Sequence, residues 1–302
     1  MAQVYGRAHH GDQKRVHANL SVGFDREKSH DRPKLYRRAL LLDARSSAGF
    51  GVVRAGRPRW SIIGTMSNTL ELFVDDPGIV LAVVAHPDDL EYGAAAAVAK
   101  WTSTGHTVSY LLATKGEAGI DGVAPAESAR IREAEQLASA AIVGVESVEF
   151  LDYPDGVIEY GIPLRADIAD AIRRYRPDTL LLFNHRDSWG FPGSRNSADH
   201  RNVGQAALDA AADASNKWIF PDRGPAAHSV TRCLVAGSPQ PTHAIDVTGH
   251  LDAAVASLSA HAAYLEGLGE HPMADPEFIR AYCEQSGVRA GVAAAVAVEL
   301  FS

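Results

Sequence analysis

Ile79-Val80-Leu81-Ala82-Val83-Val84, running straight into Ala85-His86-Pro87-Asp88-Asp89, decides the fold. Six apolar residues in a row suit a strand buried on both faces, the usual state of strands in a parallel sheet. Working outward, residues 91–104 read as a helix with a small apolar face, and Val108 to Ala113 as the next strand. Pro125 to Val143 reads as a helix and Ser147 to Leu151 as a third strand. Pro163 to Tyr175 is a third helix, stopped by Pro177; Thr179 to Phe183 is a fourth strand, and Asp199 to Ala214 a fourth helix. Strand and helix alternate four times. That predicts the α/β class, a mainly parallel sheet with helices on both faces, Rossmann-like. Ser229 to Val235 and His243 to Val247 then read as strands and Leu251 to Leu265 as a helix, a smaller C-terminal strand and helix portion. The Ala-rich tracts 206–214 and 290–297 both read as helix.

The chain has 302 residues, 46% hydrophobic and 22% charged, as expected of a globular protein of one large or two small domains. A formal net charge of -8 argues against nucleic acid as a partner. Cys233 and Cys283 lack a CxxC spacing and read as reduced thiols. No stretch reaches the ~18 unbroken apolar residues of a membrane span, and no secretory signal is evident; the expected compartment is the cytoplasm. Charge is uneven: residues 1–65 hold 13 Lys or Arg against 5 Asp or Glu. His9, His10, His17 and His30 are scattered there without ligand spacing. The segment reads as a basic extension, disordered or not native, ahead of a folded domain over 66–302. A basic arm for an anionic partner is the other reading.

In sheets of this class, ligands bind at the carboxyl ends of the strands. Four polar segments fall there: Ala85 to Asp89, Thr114-Lys115-Gly116-Glu117-Ala118-Gly119, Asp152-Tyr153-Pro154-Asp155-Gly156, and Asn184-His185-Arg186-Asp187 continuing to Ser197-Ala198-Asp199-His200. A histidine and two acids at the mouth of a buried strand are costly unless paired. His and Asp suit zinc in a tetrahedral site with one open position. His86 and Asp89 supply two ligands from one turn and leave Asp88 free; His200 is the best-placed third. The alternative for the His-Pro-Asp-Asp turn alone is a helix N-terminus with Asp as its cap.

These motifs together resemble the LmbE-like, or PIG-L, de-N-acetylases over most of residues 78–265. Ala85-His86-Pro87-Asp88-Asp89 is similar to the AHPDD signature, Thr114 to Gly119 to TxGExG, Arg130-Ile131-Arg132-Glu133 to an RxxE helix, and Pro154-Asp155-Gly156 to a PDG turn. Asp199-His200-Arg201-Asn202-Val203-Gly204 resembles the end of the second metal motif, and Ile245-Asp246-Val247-Thr248 with Ala260-His261 resembles the late strand and helix. The resemblance implies zinc, or another divalent metal, on His86, Asp89 and His200, with Asp88 as general base. It implies hydrolysis of the N-acetyl group of an N-acetylglucosamine-type sugar or glycoconjugate, a small-molecule substrate. An amidase acting on a thiol conjugate or other acyl-amine, or a non-catalytic sugar- or metal-binding homologue, are the alternatives. Oligomeric state stays open, a homo-oligomer included.

The chain departs from the family where an acid histidine is usual: Ser197 stands there, and serine donates a hydrogen bond but no proton at neutral pH. His185, on the same loop, is the replacement candidate, with a structural loop histidine as the alternative; His261 is a weaker candidate. Arg130, Glu117, Asp155 and Ser197 are the expected substrate contacts. Against these stand an Arg130–Glu133 ion pair, a helix-capping role for Glu117, and a turn role for Asp155. Trp189 and Phe191 read equally as sugar-stacking rings and as loop packing.

Overall fold

Val80, Ala82 and Val84 pack into one hydrophobic cluster and Leu81 and Val83 into another, every one of them buried. A strand that alternates between two cores must lie between two helical layers, and the sheet around it does. The computed structural model describes residues 69–74 and 76–302; the basic segment 1–65 lies outside the described residues. The strands are β1 (Glu71–Leu72), β2 (Val80–Val84), β3 (Val108–Leu112), β4 (Ser147–Phe150), β5 (Thr179–Phe183), β6 (Arg232–Ala236), β7 (His243–Asp246) and β8 (Ala295–Phe301). They form one sheet in the order β1-β7-β8-β6-β5-β2-β3-β4. All pairings are parallel except those of β8 with β6 and β7.

The helices are α1 (Asp89–Gly93), α2 (Ala95–Ser103), α3 (Pro125–Ile142), α4 (Ile162–Tyr175), α5 (Ala198–Ser215), α6 (Leu251–Ser259), α7 (Ala262–Gly267) and α8 (Phe278–Ala290). From β2 the chain steps to β3 and β4 on one side, then returns to place β5 and β6 on the other. Right-handed crossovers therefore lay α1, α2 and α3 on one face and α4 and α5 on the opposite one. The reversal between β2 and β5 opens a crevice at their carboxyl ends. Cys233 and Cys283 are free and buried, one in each face's cluster. Among the described residues no helix is long and apolar enough to cross a membrane.

Several expected elements differ. The helix over 91–104 is two helices that turn at Ala94; a Cβ on Gly93 would sit 2.8 Å from the Phe183 ring, so only glycine allows this approach. The helix over 251–265 breaks at Ala260-His261. The expected strand over 229–235 begins only at Arg232. Residues 290–297 are not a helix. Gly291, at φ 74, ends α8, and Ala295-Val296-Ala297-Val298 starts β8. The period-two alternation of valine, with Val296 and Val298 in one cluster and Ala295 and Ala297 in another, overrides alanine's helix propensity.

Candidate active site

The turn after β2 is built by proline geometry. Pro87 has a fixed φ and biases His86 toward extended backbone. Asp88 follows at φ 86, in the left-handed region, and α1 begins at Asp89. Asp89 folds back under the turn, where its Oδ2 accepts from the backbone N–H of Ala85 at 3.0 Å and of His86 at 2.9 Å. Its Oδ1 faces His200 Nε2 at 2.9 Å, and His86 Nδ1 lies 3.1 Å from the same His200 nitrogen. His200 comes from the first turn of α5, which Ser197 caps through a 3.1 Å bond from the His200 amide. Ligand atoms of His86, Asp89 and His200 thus gather within 4.8 Å of one another.

Both imidazoles are held from behind. His86 Nε2 faces Asp199 Oδ2 and Asp155 Oδ1, each at 3.1 Å. His200 Nδ1 meets Asn196 Oδ1 at 2.9 Å. Asp199 is itself fixed by the backbone N–H groups of Gly156 and Ile158, at 2.6 and 3.0 Å. Burial would lower the pKa of His86, but Asp155, Asp199 and Asp89 outweigh it and hold the value well above the usual histidine range. Burial would likewise raise that of Asp89, and His200 with His86 holds it far below. Three carboxylates crowd two imidazoles in a small buried volume. This donor set fits a divalent cation on His86, Asp89 and His200, with Asp199, Asp155 and Asn196 orienting the ligands.

Asp88 points elsewhere. Its Oδ2 accepts from Arg132 Nη2 at 2.9 Å, and the same guanidinium nitrogen donates to Pro87 O at 2.6 Å. Arg132 stacks over the Tyr264 ring at 4.3 Å. Burial raises the pKa of Asp88 against the pull of Arg132, which suits a carboxylate that takes up a proton. Trp189 and Phe183 wall the far side of His200, with ring centroids 5.7 and 5.2 Å away.

Residues 81–211 match the family described as PIG-L: GlcNAc-PI de-N-acetylase. Over this stretch the chain is similar to that family. A diacetylchitobiose deacetylase from Thermococcus kodakarensis is 36% identical over 137 residues, covering 43% of this chain and 48% of that protein. A probable N-acetyl-alpha-D-glucosaminyl L-malate deacetylase from Bacillus anthracis is 29% identical over 140 residues, covering 44% of this chain and 59% of its own length. The chain therefore spans about half of the curated relatives it matches. The structure of the N,N'-diacetylchitobiose deacetylase of Pyrococcus horikoshii superposes with a TM-score of 0.66 at 22% identity, over 75% of this chain and 84% of that one, and shares its fold.

The other expected residues scatter. Arg130 lies on the surface: its side chain is 70% exposed and pairs with Glu127 at 2.5 Å. The Arg-x-x-Glu spacing fits twice here, at Arg130–Glu133 and at Arg132–Glu135, and the buried member is Arg132. Spacing alone cannot choose between the two frames. Glu117 accepts from the backbone N–H of Asp155 at 2.9 Å and lines an open cavity of about 330 Å³ with Lys115, Ala126, Leu151 and Tyr153. Ser197 is an exposed helix cap. His185 is not one of the clustered ligands. Its ring faces Phe301 at 6.0 Å, its Cβ abuts Gly204, and its Nδ1 is buried with no hydrogen-bond partner. Burial, then Arg186, lowers its pKa, so the neutral form prevails. His261 is fully buried, 3.7 Å from Glu91. Phe191 is exposed. Sequence reasoning missed Arg132, Tyr264, Gln136, Glu91 and Asn196, and gave Asp199, next to His200, no role of its own.

Proposed function

We propose that this chain is a zinc-dependent hydrolase that removes the N-acetyl group from an N-acetylglucosamine-type sugar or glycoconjugate, with residues 66–302 as its catalytic domain. The observation that carries this reading is the split between neighbours: Asp89 joins His86 and His200, while Asp88 is turned away from them onto Arg132. A site for binding alone has no use for a free buried carboxylate beside the ligands. The deacetylases among the relatives support the same reading. A divalent cation on the three ligands, zinc or another, supplies a Lewis acid for the acetyl carbonyl and makes a water acidic enough to attack near neutral pH.

The chain's own residues do the rest. Asp88 takes the proton of the attacking water on its carboxylate, held in place by Arg132 and Tyr264. The amide C–N bond then breaks, and the leaving nitrogen needs a proton. Ser197 has none to give, and burial lowers the pKa of His185 and favours its neutral form, so Asp88 returns the one it took. Acetate and a free amine result. Asp155 and Glu117, joined at the cavity edge, orient the sugar, and the cavity receives part of the remaining conjugate.

The test is acetate release from a panel of N-acetylglucosamine glycosides, run alongside metal analysis. Stoichiometric acetate, lost on chelation and restored by zinc, is expected. A metal-loaded chain that leaves every N-acetyl sugar intact overturns the proposal.

A further inference from the structure

Asp88 is one of three non-glycine residues with positive φ among the described residues. Left-handed backbone is disfavoured for a residue with a Cβ, and neighbours help to hold it here. The enforcing contacts come from α3. Gln136 Oε1 accepts from the Asp88 backbone N–H at 3.0 Å, one turn along from Arg132, which holds the Asp88 carboxylate. A side-chain amide can present either its oxygen or its nitrogen, and here the choice is dictated. Gln136 Nε2 donates to Glu91 Oε1 at 2.9 Å, and Ser139 Oγ donates to the same oxygen at 2.6 Å. Glu91 Oε1 accepts both of these bonds, so Gln136 turns its nitrogen inward and its oxygen toward Asp88.

The arrangement closes a small circuit. Glu91 lies three residues after Asp88, on the first helix past the turn, and Gln136 reaches across from α3 to tie the two together. Glu91 and Gln136 are both essentially inaccessible to solvent. Burying a carboxylate and an amide is expensive, and an apolar pair of similar volume would serve packing as well. What an apolar pair could not do is hold the Asp88 amide at φ 86, with its carboxylate on Arg132.

We propose that Gln136, oriented by the buried Glu91 carboxylate, is a positioning residue that holds Asp88 in the backbone conformation from which it acts as base. The inference rests on the deacetylase reading for its kinetic consequence, but not for its structural one. Gln136→Leu removes both bonds of the amide. Its kcat should fall about 10- to 100-fold through misplacement of the base, with KM within about twofold and metal content equal to wild type. Glu91→Leu should behave the same way. Glu91→Gln still offers an oxygen to Gln136 and should recover most of the kcat that Glu91→Leu loses. Amide exchange at Asp88, read by hydrogen–deuterium exchange, should quicken about tenfold in Gln136→Leu, the scale of one buried hydrogen bond. Gln136→Met, unbranched and similar in length, stands in if the leucine variant does not fold.

Wild-type kcat together with unchanged exchange in the folded Gln136 variant overturns the proposal. So does a loss that appears in KM or in bound metal instead of kcat. If wild-type protein releases no acetate from any N-acetyl sugar, the deacetylase reading fails, and the exchange measurement still decides whether Gln136 holds Asp88.

Discussion

α3 and α4 lie on opposite faces of one sheet and bury opposite chemistry. Toward the protein interior, α3 presents Ser128, Arg132, Gln136 and Ser139, with Ala140 the only apolar member of the stripe. α4 presents Leu164, Ile168 and Ile172 at every fourth position, flanked by small Ala166, Ala169 and Ala171. The one charge that α4 buries, Arg173, spends its N–H groups on six backbone carbonyls between Asp213 and Arg223 and pins that loop. A buried apolar stripe stabilises at about 25 cal/mol per Å² removed from water. A buried polar stripe gains little and must satisfy every atom. The α4 face therefore carries stability and the α3 face carries geometry, and the candidate base sits where the geometry is kept.

The sharpest way to break this contrast is at Asp88. Asp88→Asn should keep the metal and the fold while kcat/KM falls by about 10² to 10⁴, the usual loss when a general base is removed. Acetate-release kinetics with metal analysis reads it, and near-normal turnover would mean that the α3 stripe serves structure alone. On the other face the effect should reverse. Ile168→Ala should cost about 2–5 kcal/mol of stability by opening a cavity, with kcat unchanged well below the melting temperature. A denaturation series gives the first quantity and the deacetylation assay the second.

The same contrast explains what could be read before the fold was known. β2 and β5 were legible because a strand buried on both faces carries a run of apolar residues, β3 because only Ser109 interrupts its run, and α4 because its apolar spacing is helical. The ligand turn was legible because His86 and Asp89 stand at a strand end with His200 opening a later helix. The α3 stripe was not. Serine, arginine and glutamine at helical spacing look like a solvated face, so the exposed Arg130 drew attention and the buried Arg132 did not. His261 was obscured for a related reason: it sits at a break inside one apolar pattern, and only the tertiary contact with Glu91 marks it. β8 was hidden by alanine, whose helix propensity yields to the valine alternation.

The two arginines provide a smaller and more discriminating test. Arg130→Ala should leave both stability and turnover essentially unchanged, since an exposed pair with Glu127 contributes little. Arg132→Ala, made alongside, should lose most activity, because it leaves the Asp88 carboxylate buried without its partner. If Arg130→Ala raises KM strongly, Arg130 reaches the substrate in the complex and the first frame of the Arg-x-x-Glu spacing was the functional one.

The smallest expected effect concerns His185, which belongs to the apolar face by contact and to the site only by sequence. Its ring faces Phe301 and its Cβ abuts Gly204, and burial, with Arg186 beside it, lowers its pKa in the folded state. The sign follows from that direction. As pH falls through about 6.5, the unfolded chain binds a proton at this position before the folded chain does. Stability from a neutral His185 is thus complete above that value and is lost on acidification toward the folded pKa. His185→Gln cannot titrate, so its denaturation midpoint should fall less steeply than wild type between roughly pH 7 and pH 5. The other buried acids and histidines titrate in both proteins, and the difference between the two curves isolates this one group. A dedicated acid would behave otherwise, because it must carry its proton at working pH and give kcat/KM an alkaline limb of its own. The expected result is therefore a flattened stability profile with an unchanged alkaline limb; a vanished limb in His185→Gln would move this histidine into the reaction and return half of the proton transfer from Asp88 to the loop after β5.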